Sequence, residues 1–474
     1  MNNEGYDIAM IGLGTMGRNL VLNMGDKGFS VSGFDREIDK VNMLKDESGQ
    51  RNILPVRSVE ELVKSLKKPR LVMMLVPAGA PVDAVISDVL PYLEKGDVII
   101  DGGNSHFTDT DRRVTELAKK EMNFLGVGIS GGEKGARFGP SIMPGGSKEG
   151  YESVRKIFEA VAAKVEDKPC VAYMGPGSAG HYVKMVHNGI EYAVIQLIAE
   201  TYHLLKQGFN LDEDELHDIF SKWNSQKDLQ SYLIEITSRI FIQNDEQTKK
   251  RLINLIKDSA KQKGTGKWTS QDAMDLQVPV PTIDSAVMMR DLSVYKNERE
   301  EVKNKVSGPD GKNIKLGKDE FIKKLGNALY FGMVTSYAQG MMLLKSASKQ
   351  YKYDIQLDTV ASIWRGGCII RAGMLSQICS AFKNNNELNN LLLDDYFAQE
   401  LSRRQSDVRD VIKTAIDAGI PVAAMMASLS YYDGYRSKWL PANLIQAQRD
   451  YFGSHTYERI DREGVFHTQW NEEE

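Results

Sequence analysis

The strongest constraint on the fold is a buried-looking strand, Tyr6 to Leu13, that runs into Gly12-Leu13-Gly14-Thr15-Met16-Gly17 and then into an apolar-periodic stretch, Asn19 to Lys27. Strand, glycine turn and helix in that order are the first half of a βαβ unit, which belongs in a parallel sheet. The glycines allow a tight turn and a close backbone approach to the N-terminus of the helix, where unpaired N–H groups can receive a phosphate. Alone the pattern is weak, and a structural turn uses the same residues. Here a second strand, Ser30 to Phe34, ends at Asp35, eighteen residues beyond Gly17. That context points to a dinucleotide site made by Gly12, Leu13, Gly14, Thr15, Met16 and Gly17.

Further apolar runs at Leu71–Val76, Val98–Asp101 and Asn123–Val127 alternate with helix-like sequence, so a parallel, doubly wound sheet is expected. The glycine-dense stretch 126–147 reads as a functional loop region. After Gly175-Pro-Gly177-Ser the period becomes helical and stays so to about 435. The expected fold is an α/β Rossmann domain (1–178), a large all-α domain (179–435) and an extended C-terminal tail (436–474). An echo at an offset of 139 pairs Asn188 with Asn327, Ala199 with Ala338 and Leu204-Leu205 with Leu343-Leu344; near 141, Trp223 pairs with Trp364. Either a helical unit is duplicated or the echo is chance; a second copy would carry Gly326 and Tyr330 for His187 and Glu191 and would be structural. The tail reads as too polar to bury itself as a separate unit, and is expected to pack on a partner subunit.

Composition excludes several classes. Hydrophobic content of 42% and charged content of 26% are ordinary globular values, and 474 residues suggest more than one domain. A net charge of −4 argues against nucleic acid. Cys170, Cys368 and Cys379 are widely spaced, which gives no disulfide framework and no zinc site and fits a reducing cytoplasm. No basic n-region precedes an apolar stretch at the N-terminus, and no apolar run reaches membrane-spanning length.

The chemistry gathers at Lys184-Met-Val-His187-Asn188-Gly-Ile-Glu191-Tyr192. Spacings of three, four and seven place amine, imidazole, amide and carboxylate on one helix face. Lys184 and Glu191 would lie roughly 10 Å apart along the axis, close enough to converge on neighbouring carbons of one substrate. A buried lysine can be a general base and a glutamic acid with a raised pKa a proton donor. The bland alternative is a solvated Lys/Glu face with His187 in the core. Ser130-Gly131-Gly132 could offer a hydroxyl and backbone N–H groups to a carboxylate, or be a plain turn. Gln262 to Thr269 resembles a P-loop, but Trp268 stands where Ser or Thr is required, so an NTPase is rejected. Lys263 and Thr265 still suit a phosphate monoester; Arg290, Arg449 and His455 are further candidates, each individually unremarkable. At the cofactor's ribose, Asp35 favours NAD, Arg36 could pair with a 2′-phosphate and Glu37 adds negative charge, so NAD and NADP both stay open.

The chain resembles the decarboxylating 6-phosphogluconate dehydrogenases over essentially its full length. The resemblance rests on Ile-Gly-Leu-Gly-Thr-Met-Gly, Asp101-Gly-Gly-Asn104, Ile129 to Ala136, Lys184 to Tyr192, Gln262 to Thr269 and Pro441 to Tyr457. It implies an enzyme of the pentose phosphate pathway and gluconate utilization: a homodimer whose tail threads into the other subunit. Its implied reaction converts 6-phosphogluconate to ribulose 5-phosphate and CO2 with NADP or NAD and no metal. It further implies Lys184 as general base and Glu191 as the acid that protonates C1 of the enediol. Asn188 and His187 would orient hydroxyls, and Ser130, Gly131 and Gly132 would hold the carboxylate. Tyr192, Lys263, Thr265 and Arg290 would bind the phosphate, joined by Arg449 and His455 of the other subunit, with Asn104 touching cofactor and substrate.

Two departures concern the cofactor. The NADP-using members carry Asn-Arg-Thr or Asn-Arg-Ser at Asp35-Arg36-Glu37, and Val-Lys-Ala-Gly at Val76-Pro77-Ala78-Gly79. Both changes withdraw support for a 2′-phosphate. Two other readings compete. A 3-hydroxyisobutyrate-type β-hydroxyacid dehydrogenase would be much shorter and lack the phosphate elements. A catalytically inactive dinucleotide sensor would be expected to lose Lys184 or Glu191.

Overall fold

A computed structural model describes residues 5–311, 314 and 316–470. The first four residues, on which the reading of the N-terminus partly rests, lie outside the described residues. The chain divides into two compact units, Met1–Ser428 and Leu429–Glu474.

The first unit opens with strands alternating with helices: β1(Ile8–Ile11), α1(Thr15–Asp26), β2(Val31–Phe34), α2(Ile38–Ser48), β3(Ile53–Pro55), α3(Val59–Lys64), β4(Leu71–Met74), α4(Ala80–Val89), β5(Val98–Asp101), α5(Phe107–Ala118), β6(Asn123–Ser130), α6(Gly132–Phe138), β7(Ser141–Gly146) and α7(Lys148–Val161). The sheet order is β3-β2-β1-β4-β5-β6-β7. Strands β1 to β6 run parallel, while β7 pairs antiparallel with β6. Separate apolar cores cover its two faces, which is why β1 and β4 are continuous apolar runs, and β5 one up to its final Asp101, with every residue buried.

The glycine-dense stretch is not a loop region. It forms β6, the short α6 and β7. Its glycines serve packing: a Cβ on Gly128 would lie 2.4 Å from Lys184 Cβ, and one on Gly145 would lie 2.2 Å from the Gly180 nitrogen. Strand and helix backbones therefore touch where side chains would hold them apart.

A small hairpin, β8(Lys164–Val165) with β9(Lys168–Pro169), leads into the helical part. It comprises α8(Ala179–His203), α9(Glu213–Asn224), α10(Tyr232–Ile242), α11(Thr265–Asp275), α12(Pro281–Val294), α13(Lys296–Lys305), α14(Lys318–Tyr351), α15(Leu357–Ile363), α16(Leu375–Asn384), α17(Asp395–Ala418) and α18(Ala423–Tyr435). Helix α8 joins the two parts, packing on β6 and β7 and on α11, α12 and α14. It is buried nearly all round, as expected of a helix with neighbours on every side. Sheet and helices pack together within Met1–Ser428, the sheet part first and the large helical part after it, in the order the sequence suggested. Among the described residues no helix is long and apolar enough to cross a membrane.

The second unit also differs from expectation. It contains the end of α18, from Leu429 on, then α19(Ala442–Gly453) and an antiparallel hairpin of β10(Tyr457–Glu458) with β11(Val465–Phe466). Asp450 is its buried centre: the carboxylate accepts from the backbone N–H groups of Thr456 and Thr468, from the Trp470 indole and from the His467 ring. A polar segment thus organises around one satisfied carboxylate, Asp450 being the one buried residue among the described residues from 442 on.

Candidate active site

The dinucleotide fingerprint lies where β1 gives way to α1. Gly12 has φ +96, and a Cβ on Gly17 would fall 1.9 Å from the Gly12 carbonyl oxygen. Both positions therefore need glycine. A Cβ on Gly14 would meet nothing within 4 Å, so the chain leaves room in front of a helix N-terminus that no side chain caps. A pyrophosphate fits that cradle. Thr15 and Met16 begin the helix. Asp35 is fixed at the end of β2, accepting the N–H groups of Leu13 at 2.7 Å and Glu37 at 2.9 Å. A cleft of about 330 Å³ opens here between Asp35, Arg36 and Glu37 on one side and Val76 and Pro77 on the other. Ala78 follows in the same turn, exposed. Arg36 is ion-paired to Asp88 at 2.8 Å and Lys40 to Glu37 at 2.6 Å; Lys40 and Asp88 were not anticipated from sequence. At the end of β5, the Asp101 carboxylate accepts from Gly103 N–H and the Ser105 hydroxyl. This pins the turn that carries exposed Asn104.

The catalytic candidates lie on α8 where it crosses β6. Lys184 is 6% exposed and His187 fully buried, while the Glu191 side chain keeps 23% exposure. The Lys184 amine donates to Asn188 Oδ1. Asn188 Nδ2 donates to Thr265 Oγ1 at 3.1 Å, tying the stripe to α11. Glu191 Oε2 lies 3.9 Å from His187 Nδ1. Burial lowers the Lys184 pKa, against the opposing pull of Glu191. Burial raises that of Glu191, against Lys184 and Arg290. Desolvation, then the Lys184 charge, holds His187 well below the usual imidazole range. An amine eased toward neutrality and a carboxyl eased toward its acid form are what a base and an acid need near neutral pH.

Ser130 ends β6, with Oγ 3.1 Å from His187 Nε2. Gly131 (φ +118) and Gly132 (φ +61) turn the chain into α6; a Cβ on Gly131 would lie 2.5 Å from the Gly367 carbonyl oxygen. The segment around Gly367 closes the site from behind. Cys368 Sγ is 3.0 Å from His187 Nε2, Ile369 N–H donates to Ser130 Oγ, and the Trp364 ring meets His187 edge-on. Sequence alone gave Cys368 no role. Its placement comes from a contact across 181 residues.

On the far side, the Arg290 guanidinium stacks over the Tyr192 ring at 3.5 Å. Thr265 is the buried first residue of α11, and Lys263 precedes it, exposed. The structure therefore joins Lys184, His187, Asn188, Glu191, Ser130 and Thr265 in one network, with Tyr192 and Arg290 beside it. Arg449 and His455 belong to the second unit, both exposed, on α19 and just after it.

Comparisons with known proteins agree across the chain. Residues 7–175 match the NAD binding domain of 6-phosphogluconate dehydrogenase, and residues 180–470 the 6-phosphogluconate dehydrogenase C-terminal domain. A Bacillus subtilis relative described as NADP(+)-dependent, decarboxylating 6-phosphogluconate dehydrogenase is 51% identical, covering 98% of each chain. The decarboxylating 6-phosphogluconate dehydrogenase of Escherichia coli K12 is 50% identical, also covering 98% of each. The Plasmodium falciparum 6-phosphogluconate dehydrogenase, solved in apo form and with NADP+ and with its substrate 6-phosphogluconate, superposes with a TM-score of 0.94. It is 44% identical, covering 98% of this chain and all of that one.

Proposed function

Because the chain belongs to the 6-phosphogluconate dehydrogenase family, we propose that it converts 6-phospho-D-gluconate to D-ribulose 5-phosphate and CO2. The observation that carries this reading is the Lys184–Glu191 pair, a buried amine and a partly buried carboxyl with pKa values displaced toward each other on one face of α8. Lys184, as the free amine, takes the C3 hydroxyl proton while hydride leaves C3. The bound dinucleotide supplies the hydride acceptor. The C3 ketone then receives the electron pair released when the C1–C2 bond breaks and CO2 departs, and the Lys184 ammonium returns its proton to that oxygen. Glu191 protonates the carbon that lost the carboxylate, and Lys184 removes the hydroxyl proton again as the ketone forms. The transient charge is held by protons and the substrate ketone, so no step calls for a metal.

Ser130, Gly131 and Gly132 hold the substrate carboxylate, Asn188 takes its hydroxyls with His187 Nδ1 steadying that amide, and Asn104 bridges substrate and cofactor. Tyr192, Lys263, Thr265 and Arg290 take the phosphate, with Arg449 and His455 from the tail of a second copy. Exposed apolar residues on the tail support a homodimer: Leu444, Ile445 and Phe452 are 60%, 59% and 72% exposed. Coexpression tests this. Lys184→Ala and Arg449→Ala chains, each inactive alone, should form mixed dimers with one intact site and recover about a quarter of normal activity. No recovery would assign Arg449 to its own subunit's site or to neither. None of the three cysteines forms a disulfide, which suits a cytoplasmic enzyme. The competing readings lose ground on the match to family members along both halves and on the retention of Lys184 and Glu191.

We read the cofactor preference as NAD. A 2′-phosphate would enter beside the carboxylates of Asp35, Glu37 and Asp88, and the nearby cations Arg36 and Lys40 are already engaged by Asp88 and Glu37. Pro77 supplies no cation. Absorbance at 340 nm with 6-phosphogluconate and NAD or NADP in parallel, with CO2 trapped, tests reaction and preference together. Asp35→Asn should raise the NADP/NAD ratio of kcat/KM about tenfold, the scale set by removing one like charge from an anion site. An unchanged ratio sinks the role of Asp35; no reduction with either cofactor sinks the reaction.

A further inference from the structure

We propose that Cys368 is a positioning residue for substrate binding: its thiol satisfies His187 Nε2 and so leaves the Ser130 hydroxyl proton free for the substrate carboxylate. This rests on the reading of Ser130 given above.

The argument starts from the tautomer of His187. The ring is fully buried and held neutral by desolvation, so it has one N–H and one lone pair. Its Nδ1 lies 3.0 Å from Asn188 Oδ1. The orientation of that amide is set twice, because the Lys184 amine sits on Oδ1 and Nδ2 donates to Thr265. Oδ1 is an acceptor only, so Nδ1 carries the proton and Nε2 the lone pair.

Two donors converge on that lone pair, the Ser130 hydroxyl at 3.1 Å and the Cys368 thiol at 3.0 Å. One ring lone pair accepts one well-aligned hydrogen bond, so they compete. Burial pushes the Cys368 thiol up to about 12; it keeps its hydrogen and remains a donor. Ile369 N–H already donates to Ser130 Oγ at 3.2 Å, leaving the hydroxyl proton as the free element of that residue. The Ser130 hydroxyl also reaches Cys368 sulfur, a weak acceptor that a carboxylate displaces easily. Without the thiol, Ser130 would be drawn onto Nε2, because a buried acceptor left unmet is costly. The substrate would then lose its hydroxyl donor.

Steady-state kinetics test this. Cys368→Ala should raise KM for 6-phosphogluconate about tenfold, the loss of one hydrogen bond to a carboxylate. Its kcat and its KM for the dinucleotide should stay within about twofold. Cys368→Val, which fills the space without a donor, should do the same and stands in if the alanine variant folds poorly. Cys368→Ser restores a donor and should return KM to near the wild-type value. The decisive readout is the double variant: in a Ser130→Ala background there is no hydroxyl to capture, so Cys368→Ala should add nothing. An unmoved KM in Cys368→Ala, or an equal rise in both backgrounds, overturns the proposal. A wild-type chain that does not turn over 6-phosphogluconate instead removes the functional reading on which the proposal stands.

Discussion

Helices α8 and α14 carry matching faces with opposite fates. At an offset of 139, Lys184, His187, Asn188 and Glu191 correspond to Lys323, Gly326, Asn327 and Tyr330. On α8 the face lies against β6, and its amine and imidazole are buried. On α14 the packing neighbours among the described residues are helices. Lys323 is exposed there, and a cavity of about 820 Å³ lies in front of it, bordered by Gly326, Asn327 and Tyr330. Asn327 is bound to Asp407 and Arg404, and Tyr330 lies under the Arg404 guanidinium at 4.1 Å. A lysine and an asparagine at catalytic spacing are thus insufficient. A strand backbone lying against the helix removes water and displaces the pKa values. Of the two faces that echo each other in sequence, only that of α8 meets the sheet.

The largest effect should separate the two lysines. Lys184→Ala should lower kcat by about 10³-fold, the scale of lost general base catalysis. Lys323→Ala should leave kcat within about twofold. Comparable losses in both would break the comparison and place a second active face on α14.

How much of this was legible in sequence follows from the range of each interaction. The β1–α1 fingerprint and the Lys184 stripe are local patterns, readable because period and spacing suffice. Strand β7 was missed because Ser-Ile-Met-Pro-Gly-Gly has the composition of a turn, yet it pairs with β6 from Ser141 to Gly146. Strand β3, three residues ending in Pro55, is too short for periodicity to show. The reason for glycine at 128 and 145 is the approach of α8, a tertiary fact with no local trace. Tail residues Leu444 and Phe452 gave no sign that a polar segment would organise around Asp450.

The second test concerns the acid. Glu191→Gln keeps shape and hydrogen bonding while removing the proton donor, and should cost about 10²-fold in kcat. Its clearer signature is in pH dependence. Activity needs Lys184 without its proton and Glu191 with one. Activity therefore falls at low pH when both are protonated and at high pH when neither is. Burial moves Lys184 down and Glu191 up, so the bell should be narrower than the ordinary carboxyl-to-amine span. The limbs belong to the coupled pair. In Glu191→Gln only Lys184 titrates, so kcat/KM should rise with pH to a plateau with no alkaline decline. A retained bell would mean that another group supplies the second proton.

The smallest expected difference tests the packing that dries the α8 face. Gly128→Ala puts a Cβ 2.4 Å from Lys184 Cβ. Neither atom belongs to a flexible end, so helix and strand must part. Overpacking of this kind costs about 1–3 kcal/mol, and a shift near 1 Å at a reacting group can cost about 10²-fold in rate. A lower Tm and a weaker enzyme should appear together. Gly326→Ala is its counterpart on α14. There the new Cβ meets Trp223 Nε1 at 3.1 Å, and a side chain can yield a few tenths of an ångström. Alanine also improves helix propensity by about 1 kcal/mol. Strain and propensity should nearly cancel, leaving Tm and activity close to the parent chain. If Gly326→Ala were as damaging as Gly128→Ala, the α14 face would be packed as tightly as the α8 face, and water exclusion by β6 could no longer explain why only one is reactive.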